Sequence, residues 1–127
     1  MKTAQLIIRI LFGAILLFGS IPYFLNLFPE PELTGNFKLF NEGINAAIYL
    51  MPLVKTLELI CGIALILNRF TLLATVLIFP ISVNILCVNI FLAPQGLILG
   101  LFIILANLFL IYQNKEYFKP LLVSKVR

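Results

Sequence analysis

The chain contains no histidine, no tryptophan and no aspartate. Without histidine it lacks the usual protein ligand of haem iron and the side chain that most often acts as an acid or base near neutral pH. Its two cysteines, Cys61 and Cys87, lie in separate apolar runs and form no C-x-x-C motif. The sequence therefore predicts no metal site and no cofactor held covalently or through histidine or cysteine.

Charge is also scarce. Charged residues make up 11% of the 127 residues and hydrophobic residues 62%, a composition typical of membrane proteins. The net charge of +4 is no sign of nucleic-acid binding, because the basic residues do not cluster in a polar domain. We therefore expect membrane lipid as a partner and no nucleic acid.

The longest stretch without a charged residue runs from Phe70 to Asn114. As one helix it would be about 67 Å long, about twice the ~30 Å hydrocarbon core of a bilayer. The turn signal Ala93-Pro94-Gln95-Gly96 divides it into two spans. With the other apolar runs, it predicts one all-α domain over residues 1–127. This domain is an integral membrane, antiparallel four-helix bundle with spans at about 6–27, 45–67, 70–92 and 95–112.

The connection between the first two spans is predicted as a loop over residues 28–43. The prolines and glutamates at 29–32 cannot continue a helix. Phe37, Leu39 and Phe40 indicate that the second part of the loop lies at the membrane interface. Four glycines, at positions 13, 19, 62 and 100, would let helices approach closely.

The distribution of lysine and arginine predicts the orientation. Of the nine such residues, all but Lys38 and Lys55 fall on one side of the predicted membrane. The positive-inside rule then places both termini in the cytoplasm. Arg9, Arg69 and Asn107 lie near the inner end, where we interpret them as topology and lipid-headgroup residues.

A few polar residues fall at membrane depth, where an ionisable side chain costs about 2.5–3.5 kcal/mol on insertion scales. Lys55 and Glu58 share one helix face at spacing i, i+3. Counting from the helix ends predicts a polar pocket about 8 Å thick that opens to the outer face, with Tyr23 and Asn89 lining the way out. The ligand-binding candidates are Lys55, Glu58, Asn84, Asn89, Ser20 and Tyr23.

A structural interpretation of the same residues stays open. Lys55 and Glu58 would then form an ion pair that only holds helices together, and Asn84 an interhelical hydrogen bond. Ser20 and Tyr23 suit ordinary packing and interfacial placement better than ligand binding. Cys61 and Cys87 are predicted to be about 15–18 Å apart along the bundle, too far for a disulfide.

Residues 49–70, with Lys55, Glu58 and Gly62, resemble the second helix of DoxX-like small integral membrane proteins. The segment Pro80-Ile-Ser-Val-Asn84-Ile, followed by Phe91-Leu-Ala-Pro94, resembles their third helix and the turn after it. The first helix, with Arg9, Gly13 and Phe18-Gly19, is also similar. The chain departs from the family at Asn89, where relatives often have histidine, and near Pro22, where many carry a polar or basic residue.

The resemblance implies a bacterial inner-membrane protein loosely associated with redox systems. It leaves three functions open, and no catalytic residue follows from any of them. The chain could be a quinone- or thiol-linked redox subunit, with quinone as its ligand and a protein partner for electron transfer. It could be a non-enzymatic accessory subunit of a larger membrane complex. It could also bind a small solute or lipid, as a homo-oligomer if it carries that molecule across the membrane.

Overall fold

The computed structural model describes residues 2–27 and 32–126, and every described element is helical. Residues 28–31, which hold most of the proline- and glutamate-rich segment, and Arg127 lie outside the described residues. The six α-helices are α1 Lys2–Leu25, α2 Gly35–Ala46, α3 Leu50–Leu67, α4 Thr71–Phe91, α5 Leu97–Gln113 and α6 Lys115–Phe118. A 3₁₀ turn, Pro94–Gly96, leads into α5, and a second, Lys119–Leu122, follows α6.

Four helices are long and apolar enough to cross a membrane: Lys2–Leu25, Leu50–Leu67, Thr71–Phe91 and Pro94–Gln113. They contact one another in the cyclic order α1, α3, α4, α5. Their centre is packed with apolar side chains, whereas large apolar residues such as Phe18, Leu105 and Ile98 remain on the outer surface. The prediction of a four-span helical protein is therefore confirmed at the level of its helices.

One prediction about the connections is wrong. The second part of the predicted loop is the helix α2, which packs lightly on α3 and buries none of its residues fully. The second span accordingly begins at Leu50 rather than near residue 45. The chain passes from α2 to α3 through Ile48, whose φ of 64° is unusual for a β-branched residue.

The contact between α1 and α3 is the most extensive in the ring. A Cβ atom added to Gly13 would lie 2.9 Å from Ile66 Cγ1 and 3.0 Å from the Gly62 carbonyl oxygen. A Cβ added to Gly62 would likewise lie 3.0 Å from the Gly13 carbonyl oxygen. Only glycine at both positions allows the two backbones this approach.

Arg9, one turn before Gly13, joins α1 to the C-terminal end of α3. Its guanidinium donates to the carbonyl oxygens of Leu65 and Ile66, in the last turn of α3. These carbonyls have few intrahelical donors, and the end of the helix carries partial negative charge, so a cation stabilises it. Arg9 is buried. Its expected place at the lipid headgroups is therefore wrong, because its charge is used as a cap within the protein.

Asn107 is likewise not at the surface. It is completely buried between α4 and α5, where its Oδ1 accepts a hydrogen bond from Ser82 Oγ at 2.8 Å. Its Nδ2 donates to the carbonyl oxygen of Thr75 at 3.1 Å. The headgroup interpretation of Asn107 is therefore wrong. We call Thr75, Ser82 and Asn107 the core polar group.

Candidate functional site

A cavity of about 530 Å³ lies between α3 and α4 beneath α2. Most of its wall is apolar. One part carries Lys55 and Glu58 from α3 and Asn84 from α4, and we call these three residues the cavity polar group. The remaining lining residues are Phe37, Phe40, Asn41, Ile44, Leu50, Met51, Val54, Pro80, Ile81, Ile85 and Val88.

The helix α2 covers this cavity with one face, and Leu39 lies outside that face, 66% exposed. Phe37, Phe40, Asn41 and Ile44 have the spacing i, i+3, i+4, i+7 and all line the cavity. The loop predicted from the sequence did not include this face. The spacing of the three apolar residues was visible in the sequence and is the signal that could have identified both the helix and its role.

Lys55 is the most connected member of the cavity polar group. Its Nζ donates to the carbonyl oxygen of Gly19 on α1 at 3.0 Å and lies 3.2 Å from Glu58 Oε2. The ring of Tyr23 is also near, with its centroid 6.0 Å from Nζ. The side chain of Lys55 is 22% exposed, so its ammonium is largely withdrawn from the surroundings of the protein.

Glu58 is more deeply buried, with 6% of its surface exposed. Among residues 2–27 and 32–126, no donor makes an aligned hydrogen bond to its Oε2, although Lys55 Nζ lies 3.2 Å away. The ammonium thus balances the charge of the carboxylate without the alignment that a hydrogen bond requires. An ion pair with an unsatisfied buried oxygen is an incomplete polar cluster.

Asn84 faces this pair from α4. It is exposed in the isolated chain, and no hydrogen bond is assigned to its side chain in the described part of the protein. Pro80, one turn earlier on the same face, also lines the cavity. The structure thus brings together three of the predicted ligand-binding residues, and Tyr23 approaches them through Lys55.

The other two predicted residues lie elsewhere. Ser20 is completely buried, and its hydroxyl donates to the Leu16 carbonyl oxygen of its own helix at 2.9 Å. Asn89 donates to the Ile85 carbonyl oxygen at 2.9 Å. Its side chain packs where Gly96 and Gly100 leave space, since a Cβ on Gly100 would lie 2.7 Å from Asn89 Nδ2. Neither residue is among those that line the cavity.

No family model, no curated protein and no solved structure matches this chain. The function must therefore be argued from the site itself.

The chemistry available in the described residues is limited. They contain no group of three or more His, Cys, Asp or Glu side chains that could hold a metal ion. Cys61 is buried in the core, Cys87 is exposed, and both are free thiols. The cavity has a largely apolar wall with one cation, one carboxylate and two amides, those of Asn41 and Asn84. That combination suits the binding of an amphipathic molecule.

Proposed function

We propose that this protein is an antiparallel four-helix bundle in a bacterial inner membrane, and that its cavity binds a small amphipathic molecule taken from the bilayer. The contacts of α1 support the antiparallel arrangement. Arg9, Gly13 and Gly19 along α1 meet Leu65, Gly62 and Lys55 of α3, in descending order of residue number. The apolar outer surface of the helices supports placement in lipid.

The orientation rests on charge. The lysines and arginines at the ends of α1, α3 and α5 point to a cytoplasmic location for both termini, and α2 with its cavity then lies toward the outer face. A single cysteine placed at Lys125, in a chain whose native cysteines are replaced by alanine, would test this. We expect labelling by an impermeant maleimide only after the cells are opened.

The observation that carries the binding proposal is the composition of the cavity. A volume of about 530 Å³ is within the usual range of ligand pockets, roughly 300–1,000 Å³. Its wall is apolar except at Asn41 on α2 and at the three residues of the cavity polar group. Ionisable side chains at membrane depth are costly and usually face a functional site. A tail along α2 and α4 with a polar head at these three residues would use both parts of the wall.

A quinone- or thiol-linked redox role, which the resemblance to DoxX-like proteins implies, is a narrower version of this proposal. The described residues bring no two thiols together, because Cys61 is buried in the core and Cys87 is exposed. Electron transfer would therefore need a cofactor or a partner protein. A quinone in the cavity, with a redox subunit docked beside it, would meet that need.

One contact favours a structural accessory role instead. Lys55 joins α3 to α1 through the Gly19 carbonyl oxygen and pairs with Glu58 on its own helix. Such bonds hold membrane helices together without any ligand. The binding role and the structural role make different demands on Asn84. Its side chain makes no hydrogen bond with the described residues, so a structural role does not need it.

The deciding experiment uses Asn84→Leu. Full-length protein would be purified from its native membrane in mild detergent, and co-purifying quinones, lipids and proteins identified by mass spectrometry. We expect one amphipathic species in a fixed ratio to the protein, reduced about 10-fold by Asn84→Leu, as for the loss of about 1.4 kcal/mol. Val83→Leu, an adjacent and exposed position outside the cavity, is the matched control. The same profile for wild type and Asn84→Leu would leave the structural role standing.

A further inference from the structure

The ligand's head group can be narrowed from the hydrogen bonding of the cavity polar group. Glu58 Oε2 is buried and accepts no aligned hydrogen bond from the described residues, although the Lys55 ammonium lies 3.2 Å away. Leaving a buried acceptor without a well-aligned hydrogen bond is unfavourable, and more so for a charged group. The torsion that turns a carboxylate about its last bond is soft, so a small rotation can present this oxygen to the cavity. A ligand that donates a hydrogen bond there would recover the cost.

The charges nearby restrict the head further. Lys55 and Glu58 are 3.2 Å apart and together carry no net charge. A carboxylate head would add a second anion beside Glu58, and an ammonium head a second cation beside Lys55. Lys55 already donates to the Gly19 carbonyl oxygen, which holds its ammonium toward α1. A neutral head avoids both repulsions, and a neutral head that donates a hydrogen bond can also use the open acceptor of Glu58.

Asn84 supplies the complementary contact. Its amide can donate to the oxygen of a head group or accept from its hydrogen. A hydroxyl group is both donor and acceptor, so it can bond Glu58 with its hydrogen and Asn84 with its oxygen at the same time. A ketone, ether or oxidised quinone has acceptors only and leaves Glu58 Oε2 unsatisfied.

We infer that the cavity selects neutral amphiphiles whose head is a hydroxyl group, an alcohol or a phenol, with Glu58 as the acceptor that determines this specificity. The inference rests on the proposed function, since it needs the cavity to bind an amphiphile at all. It assigns the apolar tail to the wall formed by α2 and the second half of α4, where Phe40, Ile44 and Val88 lie.

Three probes test the inference. Para-hexylphenol and its methyl ether, para-hexylanisole, have the same tail and ring, but in the ether a methyl group replaces the donated hydrogen. The third probe, para-hexylbenzoate, carries an anionic head. Binding would be measured with full-length protein in lipid nanodiscs, with empty nanodiscs as the correction for partition into lipid. We expect the phenol to bind roughly 10- to 100-fold more tightly than the ether, the range for a hydrogen bond to a charged group.

The double variant Lys55→Met with Glu58→Leu locates the effect. It removes both charges together, so no buried charge is left unpaired, and we expect the ratio between phenol and ether to fall to about one. Equal affinities in the wild type, or tighter binding of para-hexylbenzoate than of the phenol, would overturn the hydroxyl specificity and leave the binding function intact. If none of the three probes bound above the empty-nanodisc level, the proposed function would fail as well.

Discussion

Two groups of polar side chains lie among the long helices, and their hydrogen bonding differs. In the core polar group, the Asn107 side chain accepts from Ser82 and donates to the Thr75 carbonyl oxygen, in complete burial. In the cavity polar group, neither Glu58 Oε2 nor the Asn84 side chain makes a hydrogen bond with the residues that the structure describes. Both groups contain amides that would be costly to leave unpaired in a membrane.

The difference indicates two uses of polarity. The core polar group joins α4 to α5 and completes its hydrogen bonds within the protein, which is what a helix-packing contact requires. The cavity polar group has unused hydrogen-bond donors and acceptors beside an apolar cavity, which is what a binding site requires. Polar residues inside a helical bundle can therefore be sorted by whether their hydrogen-bond donors and acceptors are already used.

The largest expected effect is at Glu58. Glu58→Leu leaves the Lys55 ammonium with its charge uncompensated and only the Gly19 carbonyl oxygen as partner. We expect it to lower the free energy of unfolding by about 2–3 kcal/mol, somewhat less than for a fully buried pair because Lys55 can extend toward the interface. Unfolding by SDS in mixed micelles, followed by circular dichroism, gives this value.

The double variant Lys55→Met with Glu58→Leu tests whether the loss of stability comes from an unpaired lysine charge or from the loss of the ion pair itself. It should return the free energy of unfolding to within about 1 kcal/mol of the wild type, because two apolar side chains replace a matched pair. Ile60→Leu, at an exposed position of the same helix, serves as control. If Glu58→Leu were as stable as this control, the ion pair would contribute nothing to the free energy of unfolding.

The next prediction compares the substitution of asparagine by leucine in the core polar group and in the cavity polar group. Asn107→Leu removes one bond to Ser82 and one to the backbone of α4, and should cost about 1 kcal/mol of unfolding free energy at ~0.6 kcal/mol per bond. Asn84→Leu removes no assigned hydrogen bond and should change stability by less than about 0.5 kcal/mol. Retention of the co-purified ligand should respond in the opposite way. Asn84→Leu should lose the ligand, and Asn107→Leu should retain it. Equal stability changes in the two variants would contradict the division into two groups.

The sequence predicted the four spans because apolar runs and polar turns contrast sharply along the chain. It also predicted the common depth of Lys55, Glu58 and Asn84, since depth follows from counting residues along a helix. Which direction a side chain faces around the helix axis depends on its neighbours in space. Ser20 has the predicted depth but turns its hydroxyl back to its own backbone. Near-uniform hydrophobicity around the spans removed the signal that would have fixed these directions.

The helix α2 could not be predicted as readily, because its local preferences are weak. It is only 12 residues long, and it begins with Gly35 and contains Gly43, which disfavour a helix. Its stability therefore depends on packing its apolar face over α3 and the cavity. Arg9 and Asn107 were misinterpreted for a related reason. Each is held by a partner on another helix. Arg9 bonds the last carbonyls of α3, and Asn107 bonds Ser82 and the Thr75 carbonyl oxygen of α4.

The smallest expected effect concerns Asn89, the predicted exit-path residue that the structure places against Gly96 and Gly100. Asn89→Ala removes one hydrogen bond to the carbonyl of Ile85 within α4 and a contact with two glycines. We expect a stability change below about 0.5 kcal/mol, since the bond is local and the amide joins no second helix. Retention of the co-purified amphiphile should be unchanged. Asn84→Ala, five residues earlier but on the cavity wall, should lose it. If Asn89→Ala released the ligand as fully as Asn84→Ala, the cavity between α3 and α4 would not be the binding site, and the route along α4 and α5 would have to be considered in its place.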